Sequence, residues 1–421
     1  MKKFTMACAI VAGALTVNAQ QLNWDVFIHD TGNNMARYSD FTIDKQGQMW
    51  VGAGNAGLLK FDSGSFEIKV PVNSTYSNAP HDLQIDLQGN VWFSTWGSGL
   101  QKYDGQVVTE FNEGNSDLLN DRMYGLHIDS KGNIWSAYNE HGIGVFDGTN
   151  WKYHYEYTAD PNPLYVYGTA ILEAKNGDIY VGTKHGEVGV FDGTDWNVTV
   201  PNTPPGFSRV SGFTEDNNNE IWVTTSGQGL AKITSSGWAY LNQGNSGLAS
   251  DLVDCVLFDK NNNAWIGTSE GLNFFNGVTW LHFDENNSPL LNAGISSITV
   301  DSDENLWLTT GEGLIRITKE DQDVITASSV DEMNLAGFSM LPVYPNPFSD
   351  QVSFGVVIQK PAYIQFSLTD VSGKTLFQED LGQKGSGTHR FTKSVVGLSP
   401  GFYFLELGVN DEKTIQRLIV E

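Results

Sequence analysis

The phrase DSKGNIW (residues 129–135) decides the fold, because the chain repeats it: DKQGQMW at 44–50, DLQGNVW at 86–92, DNNNEIW at 216–222, DKNNNAW at 259–265 and DSDENLW at 301–307. Aligning on the aromatic that ends each phrase gives Trp50, Trp92, Trp135, Tyr180, Trp222, Trp265 and Trp307, with Tyr180 in a weaker copy, AKNGDIY. The spacing stays at 42–45 residues throughout, which marks a repeat architecture.

Each unit reads as four short strands. In the third, YGLHID leads to the turn SKG, then NIWSAY, the loop NEHG, IGVFDG and finally NWKYHY. Alternating strands joined by Gly, Asn and Asp turns indicate an antiparallel meander. The Asp that opens each turn accepts bonds from its own downstream backbone, and the Gly or Asn three to four residues later tolerates the left-handed conformation of a tight hairpin. The tryptophan is a large apolar side chain suited to packing between neighbouring sheets. The oxygens of DSDEN or DNNNE also suit Ca²⁺, but turn chemistry repeated in every unit accounts for them. Neither a metal nor a cofactor is expected.

Four-stranded units of this length match the blade of a β-propeller, and seven anchors make seven blades. The ends supply an independent test. A fourth strand carries an aromatic or apolar residue after each of the first six anchors: Phe66, Val108, Trp151, Trp196, Trp238 and Trp280. Trp24, in NWDVFI, resembles these and precedes Trp50 by 26 residues, the interval from Phe66 to Trp92. The last unit runs through ISSITVD, NLWLTT and GLIRIT and then turns polar, so its missing fourth strand is the spare one at the N-terminus. Pairing the two closes the ring without leaving open sheet edges.

A chain of 421 residues has room for a second domain. The polar segment 321–339 reads as a linker. From about residue 340, the extended VYPNPF and the runs QVSFGVVI, AYIQFSLTD, KTLFQED, THRFTKSV, GFYFLELGV and TIQRLIVE follow the pattern of a small, Ig-like β-sandwich. The whole chain is expected to be all-β, with a propeller over residues 20–320.

The formal charge of −25 argues against nucleic acid and anionic membranes as partners. MKKFTMACAIVAGALTVNAQ has the two lysines, apolar run and small residues of a secretory signal peptide, cut after Ala19. No other stretch is apolar enough to span a bilayer. Cys255 is then the only cysteine left, expected as a buried, inert thiol, and stability must come from packing and closure.

Two resemblances follow. Residues 24–317 resemble the two-component-regulator propeller repeats, whose pattern stands here as DKNNNAWIGTSEGLNFFNG. Residues 341–421 resemble the C-terminal sorting domain of the type IX secretion system of Bacteroidetes, with YPNPF at the start, LTDVSGK in the middle and GLSPGFYFLEL leading to QRLIVE. Its motif falls on Tyr344, Pro345, Asn346, Pro347, Gly401 and Tyr403. This resemblance implies export to the periplasm, engagement of the type IX secretion machinery, and release or display at the outer-membrane surface. The membrane helix and kinase that accompany the propeller in sensor relatives are not found in this sequence, so a signalling role does not follow from the repeats alone.

In a propeller, the loops leading into each innermost strand share one face with the loops joining second and third strands. Four residues after the anchors stand Gly54, Trp96, Asn139, Lys184, Ser226, Ser269 and Gly311, so the bulky and ionisable choices fall in units two to four. Tyr138, Glu140, His141 and His185 flank them. The leading loops of the same sector add His81, Arg122, Tyr124, Tyr165, Tyr167 and Arg209. Aromatic rings beside Arg, His and Glu stack on sugars and bond their hydroxyls, so the expected function is a surface module that binds a glycan or peptide. A protein-interaction scaffold is the alternative. A lyase or hydrolase, with His141 or His185 as general base beside Glu140, would follow the resemblance of seven-bladed propellers to streptogramin-type lyases. No fixed-spacing catalytic motif supports it.

Overall fold

One carboxylate holds each repeated turn. Asp129 Oδ1 accepts the backbone N–H groups of Lys131 (3.0 Å) and Asn133 (2.8 Å), while its Oδ2 accepts the indole N–H of Trp135 (2.9 Å). Asp86, Asp216 and Asp301 do the same for Trp92 (2.8 Å), Trp222 (3.2 Å) and Trp307 (2.7 Å). In these four turns the two oxygens of one side chain serve the turn and the indole; Asp44 and Asp259 hold their turns through Gln48 N–H (2.8 Å) and Asn263 N–H (3.0 Å), but the indole N–H groups of Trp50 and Trp265 are buried without a partner. The weak copy supports this account, since Ala174 stands where Asp should be and Tyr180 where Trp should be. Burial works to raise Asp86, Asp129 and Asp216, but the bonds they accept outweigh this and hold them below the usual carboxylate range.

The computed structural model describes residues 24–28, 38–54, 56–73, 78–138, 141–154, 167–199, 209–234, 237–277, 279–290, 294–326, 338–344, 351–370, 374–394, 397–398, 401–410 and 412–420. Among them, seven four-stranded antiparallel sheets form the blades of a propeller: blade 1 (38–71), blade 2 (80–111), blade 3 (123–154), blade 4 (168–199), blade 5 (210–241), blade 6 (253–283) and blade 7 (295–317). The first strand of every blade lies against the first strand of the next, and that of blade 7 against that of blade 1, so the ring is closed.

Blade 7 takes its fourth strand from the N-terminus. Asp25–Phe27 pairs antiparallel with Leu314–Ile317, with Asp25 opposite Arg316 and Phe27 opposite Leu314. Successive side chains of this strand face opposite ways. Trp24 and Val26 enter the cluster shared with blade 6, where Trp24 meets Phe283, while Phe27 enters the cluster shared with blade 1, against Phe61. Asp25 and Arg316 add an ion pair, with Arg316 Nε 3.0 Å from Asp25 Oδ2.

A second repeated phrase shapes the connections between blades. In Asn112-x-x-Asn115-Ser116, Asn242-x-x-Asn245-Ser246 and Asp284-x-x-Asn287-Ser288, the second Asn accepts the first residue's N–H at 2.9 Å. The Ser returns a bond to that residue's carbonyl, and Leu118, Leu248 and Leu290 are buried two residues beyond. These three loops lead into blades 3, 6 and 7. The connections into blades 4 and 5 depart from the phrase, as DPNPLY and PNTPPGF show.

Residues 319–326, mostly within the segment expected as a linker, form a helix on the flank of blade 7. Thr318 and Asp321 form a reciprocal cap, Asp321 N–H to Thr318 Oγ1 (3.2 Å) and Thr318 hydroxyl to Asp321 Oδ2 (2.8 Å), and Ile325 is buried. The sequence KEDQDVIT reads as polar because only one face of two short turns is apolar.

Among the described residues the C-terminal unit has seven strands in two sheets. Phe338–Tyr344, Gln351–Ile358 and Gly387–Ser394 form one, and Thr375–Lys384, Ala362–Asp370, Gly401–Val409 and Glu412–Val420 the other. They enclose a core around Phe354, Phe366 and Leu405. Tyr344 ends the first strand opposite Ser353, Gly401 pairs with Val420, and Tyr403 is buried opposite Leu418. Pro345, Asn346 and Pro347 lie outside the described residues, as does the leader with its cut after Ala19.

Candidate functional site

All seven innermost strands carry a β-bulge near their start. A bulge kinks the strand and re-aims a side chain. The bulged positions are Ser39, His81, Tyr124, Thr169, Ser211, Asp254 and Ser296. Four of them stitch the ring: Ser39 donates its hydroxyl to Pro80 O (2.8 Å), Thr169 to Val210 O (2.6 Å), Ser211 to Val253 O (2.5 Å) and Ser296 to Tyr38 O (3.3 Å). Blades 2, 3 and 6 put His81, Tyr124 and Asp254 in place of this small hydroxyl at the mouth of the central channel.

Around these exceptions a cluster forms. Trp96, in the loop between the second and third strands of blade 2, is 45% exposed. It meets Tyr124 edge-on with ring centroids 4.7 Å apart and lies nearly parallel to His81 at 6.3 Å, while His81 meets Tyr124 at 5.9 Å. Arg209, leading into blade 5, reaches across the mouth to place its guanidinium 5.3 Å from the Tyr124 ring centre. Its main chain is held from both sides, its N–H donating to Lys184 O and its carbonyl accepting from Ser226 N–H, each at 3.0 Å. Burial and the charge of Arg209 lower the His81 pKa, leaving a neutral imidazole at pH 7. Asp254 is open to solvent yet recessed in the mouth. The protein around it raises its pKa more than Arg209 lowers it.

The adjoining sector holds Lys184 over Tyr167 (4.8 Å) and Tyr167 edge-on to His185 (5.8 Å). The bond from Arg209 N–H to Lys184 O joins this group to the first. Among the residues singled out from the sequence, the structure therefore connects Trp96, Arg209, Lys184, Tyr167 and His185, together with His81 and Tyr124.

Three others are placed differently. Tyr138 is fully buried and supports the wall from inside, its hydroxyl lying over Gly144, where a Cβ would come within 2.6 Å. The sequence position next to a loop suggested exposure, but this residue ends a strand whose every position is buried. Arg122 is exposed, with its N–H bonded to Asn120 Oδ1 (2.8 Å), and His141 Nδ1 lies 3.2 Å from Asn120 Nδ2. Asn139, Glu140 and Tyr165 lie outside the described residues.

A second feature went unnoticed in the sequence. One residue deeper along the innermost strands stand Asp40, Asp82, Gly125, Ala170, Gly212, Cys255 and Ser297, two carboxylates among small side chains. Asp40 accepts Leu83 N–H (2.9 Å) and the Ser297 hydroxyl (2.7 Å), and Asp82 accepts Leu126 N–H (2.8 Å), so the two acids tie blades 7, 1, 2 and 3. Burial raises both, and the charge of Asp40 pushes Asp82 up further, so the hydrogen-bonded pair retains a proton where free carboxylates would not. Cys255, in the same layer, is a protonated thiol, its pKa pushed well up by burial. Only the aligned register of the innermost strands reveals this layer.

Clefts also open on the opposite face, one of about 410 Å³ between blades 7 and 1 and one of about 280 Å³ between blades 4 and 5. The first is lined by Asp25, Arg316, Asp301 and Trp307, which already serve closure and the turn latch, so it belongs to the scaffold.

Comparison with known proteins bears on both units. Residues 342–421 match the profile of the secretion system C-terminal sorting domain, which implies secretion or outer-membrane surface localisation and contact with the type IX machinery. No curated protein matches the sequence. Among solved structures, the extracellular domain of a hybrid two-component system from B. thetaiotaomicron is similar at 14% identity and TM-score 0.59, covering 96% of this chain and 58% of that one. PorZ, a surface component of the type IX secretion system of Porphyromonas gingivalis, is similar at 18% identity and TM-score 0.55, covering 93% and 61%. The chain thus spans about three fifths of the length of these two proteins. A virginiamycin B lyase from Staphylococcus aureus, solved with quinupristin, matches 70% of this chain and 99% of its own at 15% identity and TM-score 0.57. At such identities the likeness is one of fold.

Proposed function

We propose that this chain, whose sorting domain marks it for secretion or surface display, is a ligand-binding module that captures a glycan or peptide at the mouth of its propeller. One observation carries the reading. Where four blades use a small hydroxyl to stitch the ring, blades 2 and 3 present His81 and Tyr124, capped by a half-exposed Trp96 and crossed by Arg209. Ring closure has no use for an exposed indole at that position, whereas a binding face gains contact area from rigid aromatic rings and orientation from a few polar groups.

The test is a screen of the mature full-length chain against glycan and peptide arrays, followed by titration of any hit against Trp96→Ala. Loss of tenfold or more in affinity, with the melting transition in place, supports the site. An unchanged affinity removes the mouth from consideration.

A further inference from the structure

The cluster also specifies the charge of its ligand, an argument that rests on the binding reading above. Acids outnumber bases 49 to 24 in this chain, yet Arg209 and Lys184 converge on the mouth. Asp254 in the same mouth feels the charge of Arg209, but among the described residues no carboxylate lies within ion-pair distance of the guanidinium, and its Nε is buried without a hydrogen-bond partner. Leaving a buried charged donor unmet is costly to the fold. The guanidinium is nevertheless held in place, by the Tyr124 ring and by main-chain bonds to two different blades. Such a planar fork of donors matches a carboxylate.

The apolar element lies close by. Trp96 and Arg209 both touch Tyr124, from different blades, so an aromatic face and an unmet cation are separated by little more than one ring. Neutral His81 beside them, whose ring N–H is taken by the Tyr124 main chain, offers its other nitrogen as an acceptor to a hydroxyl. A peptide docking by its backbone needs free main-chain groups, and those of Lys184, Arg209 and Ser226 already bond one another. A pyranose bearing a carboxylate supplies a flat C–H face for Trp96, hydroxyls for His81 and an anion for Arg209 in a single residue. We propose that the mouth of the channel binds an acidic saccharide, with a uronate carboxylate on Arg209 and its sugar ring against Trp96.

The experiment is isothermal titration of the full chain with oligomers of galacturonate, glucuronate and mannuronate, each beside its carboxyl-reduced neutral counterpart. Wild type should bind at least one uronate series roughly tenfold to a hundredfold more tightly than the reduced form. Arg209→Gln should abolish that difference, Arg209→Lys should restore part of it, and Trp96→Ala should weaken both forms alike. Melting curves of each variant separate lost binding from lost fold. Equal affinity for the acid and its reduced form, or a discrimination that survives Arg209→Gln, overturns the anion assignment while leaving a binding module standing. An acidic peptide bound more tightly than every uronate overturns the saccharide, and no binding to any sugar or peptide refutes both this inference and the reading beneath it.

Discussion

Removing the two aromatics of the N-terminal strand should open the ring. Trp24 is 2% exposed, and its indole nitrogen makes no hydrogen bond, so Trp24→Ala loses packing alone, about 3–5 kcal/mol. Phe27 lies against Phe61 (4.9 Å) and Trp307 (5.7 Å), and Phe27→Ala should cost a similar ~3–5 kcal/mol. The two side chains point to opposite faces of one strand and enter different clusters, one with blade 6 and one with blade 1, so their costs should be nearly additive. The double variant then loses about 6–10 kcal/mol, comparable to the whole stability of an ordinary domain. Urea unfolding followed by circular dichroism is the assay, with Ile68→Ala, on the exposed outer strand of blade 1, as a control expected to change stability by less than about 0.5 kcal/mol. A double variant that unfolds at the wild-type midpoint with an unchanged denaturant slope would show that the strand decorates blade 7 without closing it.

Two further outcomes follow from the carboxylates. The pKa of Asp82 is raised in the fold, so the stability tied to its protonation is full below the free value of 3.8 and is lost as pH rises through the folded value. In Asp82→Asn the amide oxygen can accept Leu126 N–H and its NH₂ can face Asp40, so its advantage over wild type should grow by up to about 1.4 kcal/mol per pH unit from the free value up to the folded one and then level off. Denaturation midpoints at pH 4 and pH 8 decide this, and an equal difference at both contradicts a retained proton. The latch pairs predict the opposite kind of coupling. Asp129→Ala should cost about 2–3 kcal/mol by stripping Trp135 and two turn amides of their acceptor, while installing the pair in blade 4 as Ala174→Asp with Tyr180→Trp should stabilise more than the two single changes together. Strict additivity in that double-mutant cycle would mean that the Asp and the Trp recur independently.

The architecture was legible because it is written seven times. A period counted on Trp50 through Trp307 survives any single ambiguous strand, and the spare strand at Trp24 matched the deficit after Ile317. The bond from Asp to Trp in four of the turns was not read, since a repeat shows that two residues recur together without showing which of their atoms meet. The helix at 319–326 was missed because its signal is one cap and one buried Ile325 in a polar run. The candidate site was half legible. Loop position located Trp96, Lys184, His185 and Arg209, but it could not separate Tyr138, which ends a buried strand, from neighbours that leave it. Asp40 and Asp82 were invisible, because two acids at the inner layer stand out only against Gly125, Ala170 and Gly212 once all seven bulges are in register.

The seam in blade 7 also sets a clock. Polypeptides are made and exported from the N-terminus, and domains assemble as their segments arrive. Six blades can fold from contiguous chain as it emerges, whereas Asp25–Phe27, delivered before all of them, must wait for Leu314–Ile317, the last strand of the propeller. Nothing shorter than the full repeat array can close. The sorting domain follows soon after that point, from residue 342. A chain cut short before Ile317 therefore lacks both the strand that finishes the ring and the sorting domain that follows it.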